Sequence, residues 1–224
     1  MIKKILKQNI KIFLQRLLTL LVFLIGSKGI FNLTAIIYFS LYFALSLISL
    51  FIVNKVNPSS LSFREERPKE IPVWDKVILP LFWILNFILI YFFAGMELYT
   101  ISKIDITVIG GFFLVILSSL IATKAMCANP FMQGHSTVQK EKGQTVVQSG
   151  IYKIVRHPTY LAIIIHSIAF ILIFKTFMTS LTAFMIIILI IVRTYLEDKY
   201  LKENLEGYAK FSEKSRYRLF PFIW

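Results

Sequence analysis

The sequence predicts an all-α, polytopic membrane protein of about six transmembrane helices. Of its 224 residues, 57% are hydrophobic, against roughly 45–50% in soluble domains. Mean hydropathy is +0.71. The apolar residues, including 21 Phe, 10 Tyr and 3 Trp, form long runs separated by charged connectors, so they face lipid rather than one compact core.

The runs fall at 17–25, 30–53, 77–99, 106–127, 160–174 and 177–192. Three or four approach the roughly 20 residues of a full span; the first and the last two are short and fit a thinner crossing. The connectors set the topology. Lys3, Lys4, Lys7, Lys11 and Arg16 precede the first run. Lys55, Arg64, Arg67, Lys69 and Lys76 fill the second connector, Lys124, Lys140, Lys142, Lys153 and Arg156 the fourth, and seven more basic residues the tail. Alternate connectors thus hold 22 basic residues against 3 (Lys28, Lys103 and Lys175). The positive-inside rule then gives six spans in the cytoplasmic membrane with both termini cytosolic. Residues 3–27 also have the basic start of a signal peptide, but its removal would leave an odd number of spans.

A net charge of +13 suggests nucleic acid in a soluble protein; here its placement is topological and no nucleic-acid partner is expected. Cys127, the one cysteine, reads as a helix-packing residue, and no Cys/His motif points to a metal. Segment 57–75, with three prolines and mixed charge, reads as a surface loop leading into the third span, with Pro80 in that helix's first turn. His166, inside the fifth run, reads as a packed, hydrogen-bonded residue.

Candidate chemistry lies in the C-terminal half. The fourth connector, 128–157, is about thirty residues long, a length usually reserved for functional or disordered loops; its mixture of aromatic, amide and glycine residues predicts an ordered cover over the helix ends. It finishes in SGIYKIVRHPTYL. Pro158 suits the first position of a helix, which puts His157 at the N-cap and leaves free amides for an anionic group. The alternative is a basic flank with an interfacial histidine. In RTYLED, Arg193 and Glu197 are four apart on one helical face and can pair, with Asp198 facing solvent.

These two stretches, 129–160 (NPFMQGHSTVQKEKGQTVVQSGIYKIVRHPTY) and 193–224 (RTYLEDKYLKENLEGYAKFSEKSRYRLFPFIW), resemble the isoprenylcysteine carboxyl methyltransferase family in its bacterial branch. Weaker echoes, NP and WDK in the second connector, extend the likeness to most of the chain. The paired motifs are specific where RHP alone is not. The resemblance implies an integral-membrane methyltransferase, most simply of the carboxyl O-methyltransferase type, that uses S-adenosylmethionine without a Rossmann domain. It implies one integral domain over 1–224, with N-terminal helices over 1–127 and the cofactor-binding catalytic part over 128–224. It implies cofactor contacts from Gln139, Gln144, Thr145, Val146, Val147, Tyr152, His157, Pro158, Thr159, Tyr160 and Glu197, and places Arg193 against the reacting group of the substrate. Two departures are a Gly150-Ile151-Tyr152 turn where the family often has GPY, and Thr137 near the place of a family basic residue.

Such a cofactor carries a sulfonium, an ammonium and a carboxylate. The helix start at Pro158 suits the carboxylate, Glu197 a cationic or hydroxylated part, and the face of Tyr152 or Tyr160 the sulfonium. The expected acceptor is a lipophilic or lipid-linked molecule reached from the bilayer, such as the carboxylate of an isoprenylcysteine-like compound. A phospholipid amine or a thiol fits the same chemistry, with His157 as the base. A nicotinamide-dependent membrane reductase and a non-enzymatic scaffold are the competing classes; the first should want more basic residues than Lys153 and Arg156 supply. The sequence is silent on oligomeric state.

Overall fold

The computed structural model describes residues 1–65, 70–98 and 104–224; Arg67, Lys69 and Lys103 of the charge count lie outside the described residues. Helix α1 (Ile2–Gly26) is 25 residues long, where the hydropathy run covers 17–25 alone. Lys3, Lys4, Lys7 and Lys11 recur at helical spacing and are all exposed, so they break the apolar run without breaking the helix. Arg16 is no flank. It sits within α1 and donates to the Tyr42 hydroxyl of α2 (Leu33–Val56).

The connector expected as a loop contains a helix, α3 (Pro58–Glu65), held to α1 by Glu65 through Lys7 at 2.7 Å and Lys11 at 2.6 Å. Helix α4 (Val73–Ile84) continues through a π-helical turn (Leu85–Leu89) into α5 (Ile90–Met96) as one rod. Pro80 lies inside α4 rather than in its first turn; the proline ring removes one ladder bond there, and the wide turn follows within five residues.

Helix α6 (Ile106–Ala128) starts on Asp105, whose carboxylate accepts from the Thr107 and Val108 amides at 3.1 Å. Helices α7 (Pro158–Phe174) and α8 (Phe177–Asn204) form a hairpin through Lys175, which takes a left-handed conformation (φ 51°), and Thr176. A short α9 (Tyr208–Lys214) follows.

Five rods are long and apolar enough to cross a bilayer: α1, α2, α4 through α5, α6 and α8. Helix α7 has 17 residues, about 25 Å at 1.5 Å per residue, and is packed inside the bundle, with Ala169, Phe170, Ile173 and Phe174 buried. The architecture is therefore that of an all-α polytopic membrane protein, and α8 runs on to Asn204, well past the apolar run that ends at 192.

Helix contacts are close where glycine permits. A Cβ on Gly111 of α6 would lie 2.6 Å from Ile173 Cγ1 and 3.1 Å from the Ala169 carbonyl of α7. A Cβ on Gly26 would overlap the Phe92 carbonyl, and one on Gly95 the Phe23 carbonyl, so the α1 and α5 backbones touch, as small residues allow in membranes. Between the helices lies an aromatic core around Tyr38, whose hydroxyl is 3.0 Å from both Tyr91 Oη and His166 Nε2. His166 is the packed residue expected, stacked on Phe170 with ring centroids 5.5 Å apart. The Lys7 and Lys11 contacts with α3, together with the Gln133–Phe63 bond at 2.9 Å, bring the N-terminus, α3 and connector 129–157 to one end of the bundle. The Lys175–Asp105 pair closes the other.

Candidate functional site

The site is built where connector 129–157 and the C-terminal tail fold over the exposed end of α8. The connector carries two short 3-10 turns (Lys140–Lys142 and Gly150–Lys153), and the tail runs beside its last residues. The Arg156 amide donates to the Tyr217 carbonyl at 2.9 Å and the His157 amide to the Arg218 carbonyl at 3.0 Å. Pro158 is at the first position of α7 with His157 as its N-cap, as the missing proline N–H requires.

Asp198, expected to face solvent, is instead 1% exposed and at the centre of this junction. Its carboxylate accepts from Arg156 Nε at 2.7 Å and Nη2 at 3.1 Å, Arg218 Nε at 3.0 Å and Tyr208 Oη at 3.0 Å, with His157 Nε2 at 3.3 Å. Arg156 also donates to the Ser215 and Arg216 carbonyls at 2.6 and 2.9 Å. A buried carboxylate is tolerable when surrounded by donors in this way; the reward is a fixed position for the start of α7. Arg156 is therefore a structural cation and no basic flank.

Above this hub opens a pocket walled by the connector, the start of α7, α8 and α9. Of the residues anticipated for the cofactor, Gln144 to Val147, Tyr152, His157 to Tyr160 and Glu197 line it. Gln139 does not. It stands behind the connector wall, donating to the Phe131 carbonyl at 2.7 Å while its amide N–H donates to Gln144 Oε1 at 2.6 Å, and its own Oε1 is buried without a hydrogen bond. Tyr152 donates no bond inward; its hydroxyl accepts from Asn129 Nδ2 at 3.2 Å. Burial pushes the phenols of Tyr152 and Tyr208 above their ordinary value, the neighbouring Asp198 adding to the second, so both stay neutral.

Glu197 faces the pocket and accepts from the Tyr160 hydroxyl at 2.5 Å and from the Ser136 hydroxyl. Arg193 does not pair with it. Arg193 reaches across to Asp75 in the first turn of α4, with Nε at 3.0 Å and Nη2 at 2.9 Å from Oδ1, and donates to the Gly134 carbonyl at 2.5 Å. The reason is burial: Asp75 is fully buried and has no water to turn to, whereas the Glu197 side chain keeps 19% exposure, so the desolvated acid claims the cation. Asp75 also accepts from the Ser136 amide at 2.9 Å, which fastens the connector to the helices. Tyr160 joins the two groups, its ring under the Arg193 guanidinium at 5.3 Å and its hydroxyl on Glu197.

Arg193 lines a second space, a cavity between the helices of the bundle. Thr159, Tyr160, Met132 and Gln133 belong to the walls of both spaces. A polar pocket and a largely apolar cavity thus meet at Tyr160. Sequence reasoning missed Asp75, Ser136, Asp198 and Tyr208; WDK and RTYLED contain the two acids but carry no sign of their burial. Among the described residues no group of three His, Cys, Asp or Glu side chains is placed to hold a metal.

Residues 111–203 match the model of the isoprenylcysteine carboxyl methyltransferase (ICMT) family. The matched segment runs from α6 to nearly the end of α8 and so contains Tyr152, His157, Pro158, Arg193 and Glu197. The match supports that family for this chain, and the family implies membrane-bound methyltransferase activity. No curated protein matches the chain.

Proposed function

Taking the isoprenylcysteine carboxyl methyltransferase family as the premise, we propose that the protein transfers a methyl group from S-adenosylmethionine to a lipophilic or membrane-associated acceptor. The carboxylate of an isoprenylcysteine-like compound is the first candidate, and phospholipid amines and hydrophobic thiols are the alternatives. The observation that carries this reading is the shared wall at Thr159 and Tyr160: a polar donor and an apolar acceptor need separate chambers that meet at one point.

The donor set of the polar pocket fits S-adenosylmethionine. Glu197 offers a carboxylate whose described hydrogen bonds come from hydroxyl groups, leaving its charge for a cationic or hydroxylated ligand. The first turn of α7, which opens on the pocket at Thr159, suits a carboxylate. Tyr152 supplies a ring face for a cation, whereas the Tyr160 ring already meets Arg193 and His157 and His135 Nδ1, in the same wall, faces Asp75 Oδ2 at 3.4 Å. Bound there, the cofactor supplies an electrophilic methyl on a sulfonium.

The residues of the chain then align and desolvate. In-line displacement depends on holding acceptor and methyl in register, which positioning side chains and exclusion of water accomplish. Arg193 has Nε and Nη2 committed to Asp75 and Gly134, which fixes its plane and leaves Nη1 to meet an anionic acceptor from the cavity side. A carboxylate needs no base. An amine or thiol needs one, and His157 already has Nε2 against Asp198 and Tyr208, which favours the carboxylate.

Binding of S-adenosylmethionine and of NADPH to the purified protein in detergent tests the proposal. S-adenosylmethionine should bind, and Glu197→Gln should weaken it about ten- to hundred-fold, the worth of one charge-assisted bond. Binding of NADPH in its place would move the protein to the reductase class.

A further inference from the structure

The bundle cavity contains a charge distribution that methyl transfer does not use. Its lining includes Arg16 of α1, Arg64 of α3 and Arg193 of α8, and no Asp or Glu among the described residues. Arg193 is balanced by Asp75 behind it. Among the described residues no carboxylate balances Arg16 or Arg64. Arg16 donates to the Tyr42 hydroxyl and lies 4.5 Å over the Tyr42 ring, both neutral partners, and its Nε is buried with no hydrogen bond. The carboxylate next in sequence to Arg64, Glu65, is taken by Lys7 and Lys11. Burial and the nearby Arg16 both push the Arg64 guanidinium below its ordinary value.

Two like charges held together in a low-dielectric space repel each other and lack solvation. Arg16 lies inside the spanning helix α1, and an intramembrane ionisable residue marks a ligand or ion path by default. A single carboxylate would leave one of the two cations unanswered. A phosphate-type oxyanion carries up to two negative charges and three acceptor oxygens and suits guanidinium forks. Part of the remaining wall, with Leu79, Phe82, Trp83, Phe87, Ile163 and Phe170, is apolar and fits an acyl or prenyl chain. The Gln133–Phe63 bond also ties α3 to the connector whose Gly134 carbonyl accepts from Arg193 of α8, so the Arg64 end of the cavity adjoins the methyl-transfer junction.

We propose that the bundle cavity binds a long-chain amphiphile through a phosphate-type anionic group held between Arg16 and Arg64. That this occupant is the methyl acceptor rests on the proposed function; that it binds does not.

The test reads binding alone, with no methyl donor present. Trp83 lines the cavity, so in a Trp74→Phe/Trp224→Phe background its fluorescence reports a brominated alkyl chain. A brominated alkyl phosphate should quench at concentrations at least about ten-fold lower than the same chain ending in a hydroxyl or a phosphocholine. Arg16→Gln/Arg64→Gln should abolish that preference and leave quenching by the alcohol unchanged, which also certifies that the variant is folded. Inorganic phosphate at millimolar concentration should not compete. Equal affinity for the phosphate and hydroxyl heads in the otherwise native protein would overturn the proposal without recourse to any arginine variant, as would a preference that survives the double substitution. Full competition by inorganic phosphate would show a simple anion site and overturn the amphiphile. Failure of S-adenosylmethionine to bind would defeat the methyl-transfer reading and leave this result untouched.

Discussion

At the scale of single residues, Arg193 separates acceptor handling from cofactor binding. Its guanidinium spans Asp75 and the Gly134 carbonyl at once, a planar arrangement that an ammonium on a flexible stem cannot copy. Arg193→Lys keeps the charge opposite Asp75 and loses the plane. Turnover on the best acceptor should fall by about a hundred-fold through misalignment, while S-adenosylmethionine affinity, set on the other side of Tyr160, changes little. Methyl transfer from labelled cofactor and calorimetry on the same preparation measure the two quantities. Near-normal turnover would remove Arg193 from the reaction, and a parallel loss of cofactor affinity would move it into the polar pocket. The local chemistry of Pro158, a helix start, and of Glu197, an acid beyond a span, is written within a few residues, whereas Tyr152 entered through the family resemblance alone. Asp75 and Asp198 were not visible. A buried acid is recognised by its partners, and Arg193 lies 118 residues from Asp75 and Arg156 42 residues from Asp198.

At the scale of elements, hydropathy located the helices better than it measured them. Helix α7 closely matches its apolar run because Pro158 and Lys175 stop it at both ends. Helices α1 and α8 run well beyond theirs, since charges end an apolar window without ending a helix: the lysines of α1 lie on an exposed face, whereas Arg193 and Asp198 of α8 are buried in ion pairs. The extension of α8 carries Glu197 and Asp198 out to the connector on the same rod as Arg193. How closely helices approach is not written in hydropathy at all. Gly26 and Gly95 give that away only in three dimensions, where each faces the other helix's backbone carbonyl. Gly26→Ala should therefore destabilise the bundle by about 1–3 kcal/mol or more, because the clashing partner is backbone and cannot rotate aside. Gly110→Ala is the control: a Cβ there meets nothing within 4 Å. Thermal unfolding in detergent should show a lowered midpoint for the first variant and none for the second; equal midpoints would mean that α1 and α5 can part without cost.

At the scale of the whole molecule, the positions of the chain ends and connectors turn a charge count into a geometric expectation. The basic N-terminus, α3, connector 129–157 and the tail share one end of the bundle, and Lys175 with Asp105 marks the other. The polar pocket opens among the first group. The positive-inside rule predicts that this end faces the cytosol, the side from which the proposed methyl donor would have to enter. The division into helices 1–127 and a cofactor part 128–224 is less sharp than the sequence suggested, because Asp75 from the first half holds Arg193 and the Ser136 amide of the second. The orientation is tested with cysteines in a Cys127→Ser background. Ser149 is exposed on the pocket side and Ile30, 63% exposed, on the far side; Ser27 is a poorer reporter because it is buried. In intact cells an impermeant maleimide should label Ile30→Cys directly and Ser149→Cys only after permeabilisation. Labelling of both from outside would place the pocket and the far end on one side, which six crossings forbid. The reverse pattern would keep the fold but turn the pocket away from the cytosolic methyl donor, and the proposed reaction would fall with it.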